Sequence, residues 1–190
     1  AQLRESVLRL QNVAERDAQA RSAGTRAAEA LHQRVLAHFG QLDMLEGGQQ
    51  ARWRLNGRSG LDIAAARRLE QSLSTNGEGL KVQVVPAMQA LPAIAFGDDD
   101  ATLTEDQASR LETMAWALQR WGVERVQVDG YAGNDTDLAQ ARAQAVADAL
   151  ARHGIRDNTA HAVDGAAARA TATAEGRPLL REARVRFASP

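Results

Sequence analysis

The stretch from Thr104 to Gly154 restricts the fold more than any other part of this sequence. Thr104-Glu105-Asp106-Gln107 has the spacing of a capping box, in which the Thr hydroxyl accepts from the Gln107 amide and the Gln side chain reaches back to the Thr104 N–H. Leu111, Met114, Ala115, Leu118 and Trp121 then fall on one helical face, and Gly122 is placed to end the helix. Val123 to Asp129 alternates as a strand, with Val126 and Val128 on one side. After a Gly130–Gly133 turn, Leu138, Ala141, Ala145, Val146, Ala149 and Leu150 trace a second helix that Gly154 stops. Helices with one apolar face flanking a strand with one apolar face bury that surface by sharing a layer against a sheet.

The surrounding pattern extends this layer. Ala93-Ile94-Ala95-Phe96 reads as a strand opened by Pro92, and a weaker strand near Thr159–Val163 precedes a small-residue loop. Ala183-Arg184-Val185-Arg186-Phe187 alternates as the last strand. The order from Ala93 is β-α-β-α-β-β, an α+β sandwich with its helices on one face of the sheet. Upstream, 51–56 and Leu80–Val85 read as strands around a helical 61–74, after Gly47-Gly48 and before Pro86. Residues 1 to about 44 carry Leu3, Val7, Leu10, Val13, Ala27, Leu31, Val35 and Leu42 at spacings near three and four, weakest around Ser22-Ala23-Gly24. The narrow stripe suits a helix that pairs with another helix, with a solvated helical leader as the alternative. These shifts divide the chain into a helical stalk (1–46), a β-α-β module (47–92) and an α+β domain (93–190).

Two stretches look alike. Leu55 to Arg67 and Val128 to Arg142 both run strand, Gly-x-x-Gly turn, Asp-[Leu/Ile]-Ala-x-Ala-Arg and helix, with a glycine near the helix end and a further strand. Duplication explains this, and so does convergence of alanine-rich helices. If duplicated, the first copy is a truncated β-α-β that lacks an opening strand and helix.

Composition excludes several functions. Of the 44 % hydrophobic residues, 39 are alanine, so larger apolar side chains make up about a quarter of the chain and compact layers are expected rather than a large core. Aromatic content of 4 % argues against a base-stacking platform, and a net charge of -1 against a generally basic nucleic-acid binder. Residues 1–95 are net basic by three and residues 96–190 net acidic by four. The absence of cysteine excludes disulfides and thiolate metal sites. No apolar run is long enough to span a membrane, and no signal-peptide pattern opens the chain. No nucleophile–base, paired-carboxylate or phosphate-loop motif stands out, so a non-catalytic protein without cofactor is expected. Asp98-Asp99-Asp100 reads as a solvated turn rather than a cation site, since it lacks a calcium-loop pattern. His32, His38, His153 and His161 have no metal-ligand spacing, and Trp53, Trp116 and Trp121 read as packing anchors.

The run Gly130-Tyr131-Ala132-Gly133-Asn134-Asp135-Thr136-Asp137-Leu138-Ala139-Gln140-Ala141-Arg142-Ala143 resembles the central signature of OmpA-like domains. That family shows Gly-His-Thr-Asp, a short Gly/Asn loop, and Leu-Ser-x-x-Arg-Ala opening a helix. The strand ending at Phe96, Leu103-Thr104, Val126-Gln127-Val128, Gly154-Ile155, Gly176-Arg177 and Arg184-Val185 fall in the matching order, over roughly 93–188. The resemblance implies a periplasmic envelope domain that docks on peptidoglycan, tethered to a membrane by a segment outside this chain. It implies that an Asp in the turn and the helix Arg hold the diaminopimelate of a stem peptide, whose ammonium and carboxylate they complement.

Position by position, Leu138, Arg142 and Ala143 match, while Ala139 replaces the serine. Tyr131 stands for the histidine, Ala132 for the threonine and Gly133 for the binding Asp; Glu182-Ala183-Arg184-Val185 stands where Asn-Arg-Arg-Val is usual. The implied ligand set is therefore Arg142, Asp135, Asp137, Tyr131 and Asn134, with Asp135 or Asp137 reaching in from a shortened loop. Each has a plainer reading: Arg142 as an inward Arg bonding the turn's carbonyls, Asp135 and Asp137 as helix caps. The alternative function is a scaffold that has lost the ligand and serves as an interaction or oligomerisation subunit of an envelope complex, with envelope proteins as partners and a second copy engaged through the N-terminal helix.

Overall fold

The computed structural model describes residues 2–37, 40–45, 48–75, 80–176 and 180–188. The chain divides into two compact units, Ala1–Met88 and Gln89–Pro190.

The first unit opens with helix α1 (Gln2–Ala37), which runs unbroken through the small residues around Gly24. Residues 40–44 are not the end of this helix, as their spacing suggests, but strand β1 (Gly40–Met44). It pairs antiparallel with β2 (Gln50–Leu55), bringing Leu42 opposite Trp53; a single strand of five residues carries too little period to separate from helix. A 3₁₀ turn at Gly57–Ser59, capped by Asn56 and closed by Gly60, leads to α2 (Ile63–Thr75) and β3 (Lys81–Val85). β3 lies parallel to β2, so the sheet order is β1-β2-β3. Ala51, Trp53, Leu55, Val82 and Val84 alternate inward with Ile63 and Ala66 of α2 among the buried residues. The Val84 N–H on the outer side of β3 donates to the Glu70 carboxylate of α2 at 2.8 Å, which blunts the open edge of the sheet. His38 and the glycines expected near the α2 terminus lie outside the described residues, as do the side chains of Leu3, Ala27, Leu31 and Val35.

The second unit is the expected α+β layer. β4 (Ile94–Ala95), α3 (Glu105–Arg120), β5 (Arg125–Gly130), α4 (Thr136–Arg152), β6 (Asp157–Ala162) and β7 (Glu182–Phe187) follow in order. Between β6 and β7 there is also a helix, α5 (Gly165–Ala174), where the sequence suggests only a loop; the order is β-α-β-α-β-α-β. Its buried stripe is Ala168 and Ala172, capped by Asp164, so no large side chain betrays the period. The sheet order is β4-β7-β5-β6, with β5 and β6 parallel and β7 antiparallel to both β5 and β4. The capping box at Thr104 forms in both directions, with Gln107 N donating to Thr104 Oγ1 at 3.2 Å and Thr104 N to Gln107 Oε1 at 2.8 Å. Leu111, Met114, Leu118, Val128, Val146 and Leu150 are fully buried.

The two units share a topology. β1-β2-β3 repeats the order and directions of β7-β5-β6, an antiparallel strand beside a parallel pair joined by one helix. In the first unit the antiparallel strand comes before the pair rather than after it.

Candidate functional site

α4 is set by two local devices. Asp135 caps it, accepting from Leu138 N at 3.0 Å, and Gly130 lets it approach β5. A Cβ on Gly130 would fall on the Ala139 carbonyl and lie 3.0 Å from the Ala143 nitrogen, so only glycine fits beneath this helix turn. The helix then carries Arg142 inward, where the residue is 1 % exposed. Its Nε donates to the Asp100 carbonyl at 2.8 Å, Nη1 to the Tyr131 carbonyl at 2.9 Å and Nη2 to the Gly97 carbonyl at 2.9 Å. The guanidinium also lies 5.6 Å from the centroid of the Phe96 ring. One of these carbonyls belongs to the turn and two to the β4–α3 loop, so the guanidinium ties the turn to the loop. Burial pushes its pKa down, as does Arg181, while Asp100, Asp99 and Asp135 act against them.

The other residues of the implied ligand set are dispersed. Asp135 is occupied as the helix cap and Asp137 is exposed in the first turn of α4. Asn134 Oδ1 accepts from Arg169 of α5 at 2.6 Å. Tyr131 is buried against Ala168, Ala172 and Leu180, with the Arg184 guanidinium 5.4 Å from its ring centroid; desolvation pushes its phenol pKa up. Arg184 in turn holds Glu175 and the buried Glu182, and the hydrogen bond to Glu175 raises its own pKa further. On the same strand, Arg186 pairs with the buried Asp129 of β5.

What does converge is a cleft of about 290 Å³ between the β4–α3 loop, the Tyr131–Asp135 turn and the start of β7. Ala132, Gly133, Leu138 and Leu180 form its apolar part, and Asp98, Asp99, Arg142 and Arg181 its charged part. The acidic run thus splits three ways. Asp98 pairs with Arg181, Asp99 lines the cleft in a left-handed conformation (φ 51°), and Asp100 accepts from Thr102 N at 2.8 Å. That hydrogen bond holds the Asp100 carboxyl below its usual range. Neither Asp98, Asp99 nor Arg181 is picked out for the site by sequence. Asp98 and Asp99 read as a solvated turn, and nothing in chain order places residue 181 beside residue 98. Among the described residues, no three His, Cys, Asp or Glu side chains gather into a group able to hold a metal.

Among curated proteins, none matches the sequence. The OmpA-like domain of FopA1 from Francisella tularensis subsp. tularensis SCHU S4 is similar at 16 % identity, over 50 % of this chain and 73 % of that one, with a TM-score of 0.37. The peptidoglycan-associated lipoprotein from Burkholderia pseudomallei is similar at 18 % identity, over 50 % of this chain and 89 % of that one, with a TM-score of 0.39. The model of the OmpA family matches residues 95–184, from β4 into β7. With the strands in the expected order, α5 added between the last two, and the signature helix seated on Gly130, residues 95–184 of this chain form an OmpA-like domain.

Proposed function

We propose that this chain is a non-catalytic component of the bacterial cell envelope, facing the periplasm, and that its second unit associates with peptidoglycan. The observation that carries this reading is the cleft that sets carboxylates and guanidinium groups side by side. A stem-peptide zwitterion carries an ammonium and a carboxylate a few bonds apart, and a site for it needs one fixed charge of each sign at matching separation. Asp99 supplies the acidic charge that Gly133 does not, and Arg181 the exposed guanidinium. Arg142 serves from below by fixing the loop and the turn that frame the cleft. Asp135 and Asp137 contribute helix capping and a favourable charge at the α4 N-terminus rather than direct contact.

The test is retention of the full chain on purified sacculi at low salt. Retention is expected, falling roughly tenfold for Arg181→Ala and for Asp99→Ala, the loss of about one charge-assisted pair each. A wild-type chain that stays in the supernatant overturns the reading. In that case the alternative stands, a scaffold that kept the fold and works through protein partners, which the fully engaged Arg142 and the missing turn Asp favour.

A further inference from the structure

Of the six large apolar side chains that stand exposed among the described residues, four lie within one stretch of α1: Val7, Leu8, Leu10 and Val13, at 49, 57, 70 and 55 % exposure. The helix continues from there without a break to Ala37, so its register can be followed from end to end. Positions 3, 7, 10, 14, 17, 21, 24, 28, 31 and 35 alternate steps of four and three without a slip, the 3.5-residue period of a two-helix seam. This seam is apolar at both ends, small at Ala14 and Gly24, and charged in the middle, where it carries Asp17 and Arg21.

We propose that α1 pairs with α1 of a second copy of this chain, antiparallel and centred on residue 19. Two observations fix the occupant and its direction. The first is charge. A parallel pair would set Asp17 level with Asp17 and Arg21 level with Arg21, like charges within an apolar seam. The antiparallel pair sets Asp17 level with Arg21 of the other copy, twice. The second is size. About the same centre Leu3 falls level with Val35, Val7 with Leu31, Leu10 with Ala28 and Ala14 with Gly24. The ends are filled by large residues, while small ones let the backbones close in beside the charged layer. The antiparallel register thus matches every seam position with an apolar or oppositely charged one, over about 50 Å of helix. Val13 flanks the seam and is covered at its edge, and Leu8 lies outside it. This pairing is independent of peptidoglycan binding and would hold in a chain that binds no cell wall.

Sedimentation of the full chain at tens of micromolar is expected to show a dimer, with Leu10→Arg and Asp17→Arg each raising the dissociation constant at least tenfold. Asp17→Arg leaves the apolar ends untouched, and helicity measured by circular dichroism confirms that either variant remains folded. The chain has no cysteine, so single introduced thiols report direction. A mixture of Leu10→Cys and Ala28→Cys chains is expected to form a linked heterodimer on mild oxidation, while Leu10→Cys alone does not link to itself. A wild-type monomer overturns the pairing, and a self-linked Leu10→Cys dimer overturns its direction.

Discussion

Removing the buried guanidinium of Arg142 would take the donor from three carbonyls at once, that of Tyr131 in a buried position, and leave a cavity where the side chain packs. Arg142→Ala is therefore expected to destabilise the second unit by about 3–5 kcal/mol, read by urea denaturation. Arg142→Lys should recover only part of this, because one ammonium cannot span three acceptors in a fork. Asp100 offers the pH-dependent counterpart. Its carboxyl is held below the ordinary carboxylate range by the Thr102 amide, so folding favours the ionised form. The sign follows: the contribution is complete above the unfolded pKa of roughly 4 and is lost as pH falls through the lower folded value. Asp100→Asn should thus destabilise near neutral pH and lose that effect in acid, checked by denaturation at a series of pH values. At this scale sequence identified Arg142 and left both of its roles open. It could not find Asp99 or Arg181, because a cleft residue carries no local signal when its neighbours lie 40 or 80 positions away.

Elements were legible wherever one face alternated large and small or polar side chains at a clear period. The Thr104 capping box, α3, β5 and α4 follow the reading closely, because caps and glycines mark their ends and large apolar residues their faces. α5 carries no such signal, since alanine serves equally in a buried stripe and on a solvated one. β1 is indistinguishable in sequence from a continuation of the helix before it, since Leu42 fits a spacing of three or four as well as a spacing of two. The contact between α4 and β5 yields a prediction of its own. Gly130→Ala must push a methyl group into backbone rather than into a side chain that can move, and should cost about 2–3 kcal/mol. A loss below about 0.5 kcal/mol in chemical denaturation would show that α4 can shift off the strand.

For the molecule as a whole, the two compact units predict that residues 89–190 fold alone, giving a cooperative urea transition with the midpoint that this unit shows in the full chain. The cleft allows a gain as well as losses. Gly133 has a φ of 59°, a conformation that Asp tolerates at a cost of about 1 kcal/mol, and it lines the same cleft as Arg142. Gly133→Asp should raise retention on sacculi while slightly lowering stability. The strand order shared by the two units also belongs to this scale, since similar strand–turn–helix runs show only its β-α-β part and the pairing of β1 with β2, like that of β7 with β5, adds the antiparallel neighbour.

By itself the sequence determined which stretches bury a face, where helices begin, and that the C-terminal half builds an α+β layer like that of OmpA-like domains, because periodicity and capping act within a few residues. Tertiary structure alone decided that Arg142 is occupied by three carbonyls and that Asp98, Asp99 and Arg181 meet beside it. Those contacts join loops distant in the chain, and sheet order rather than any local preference brings them together.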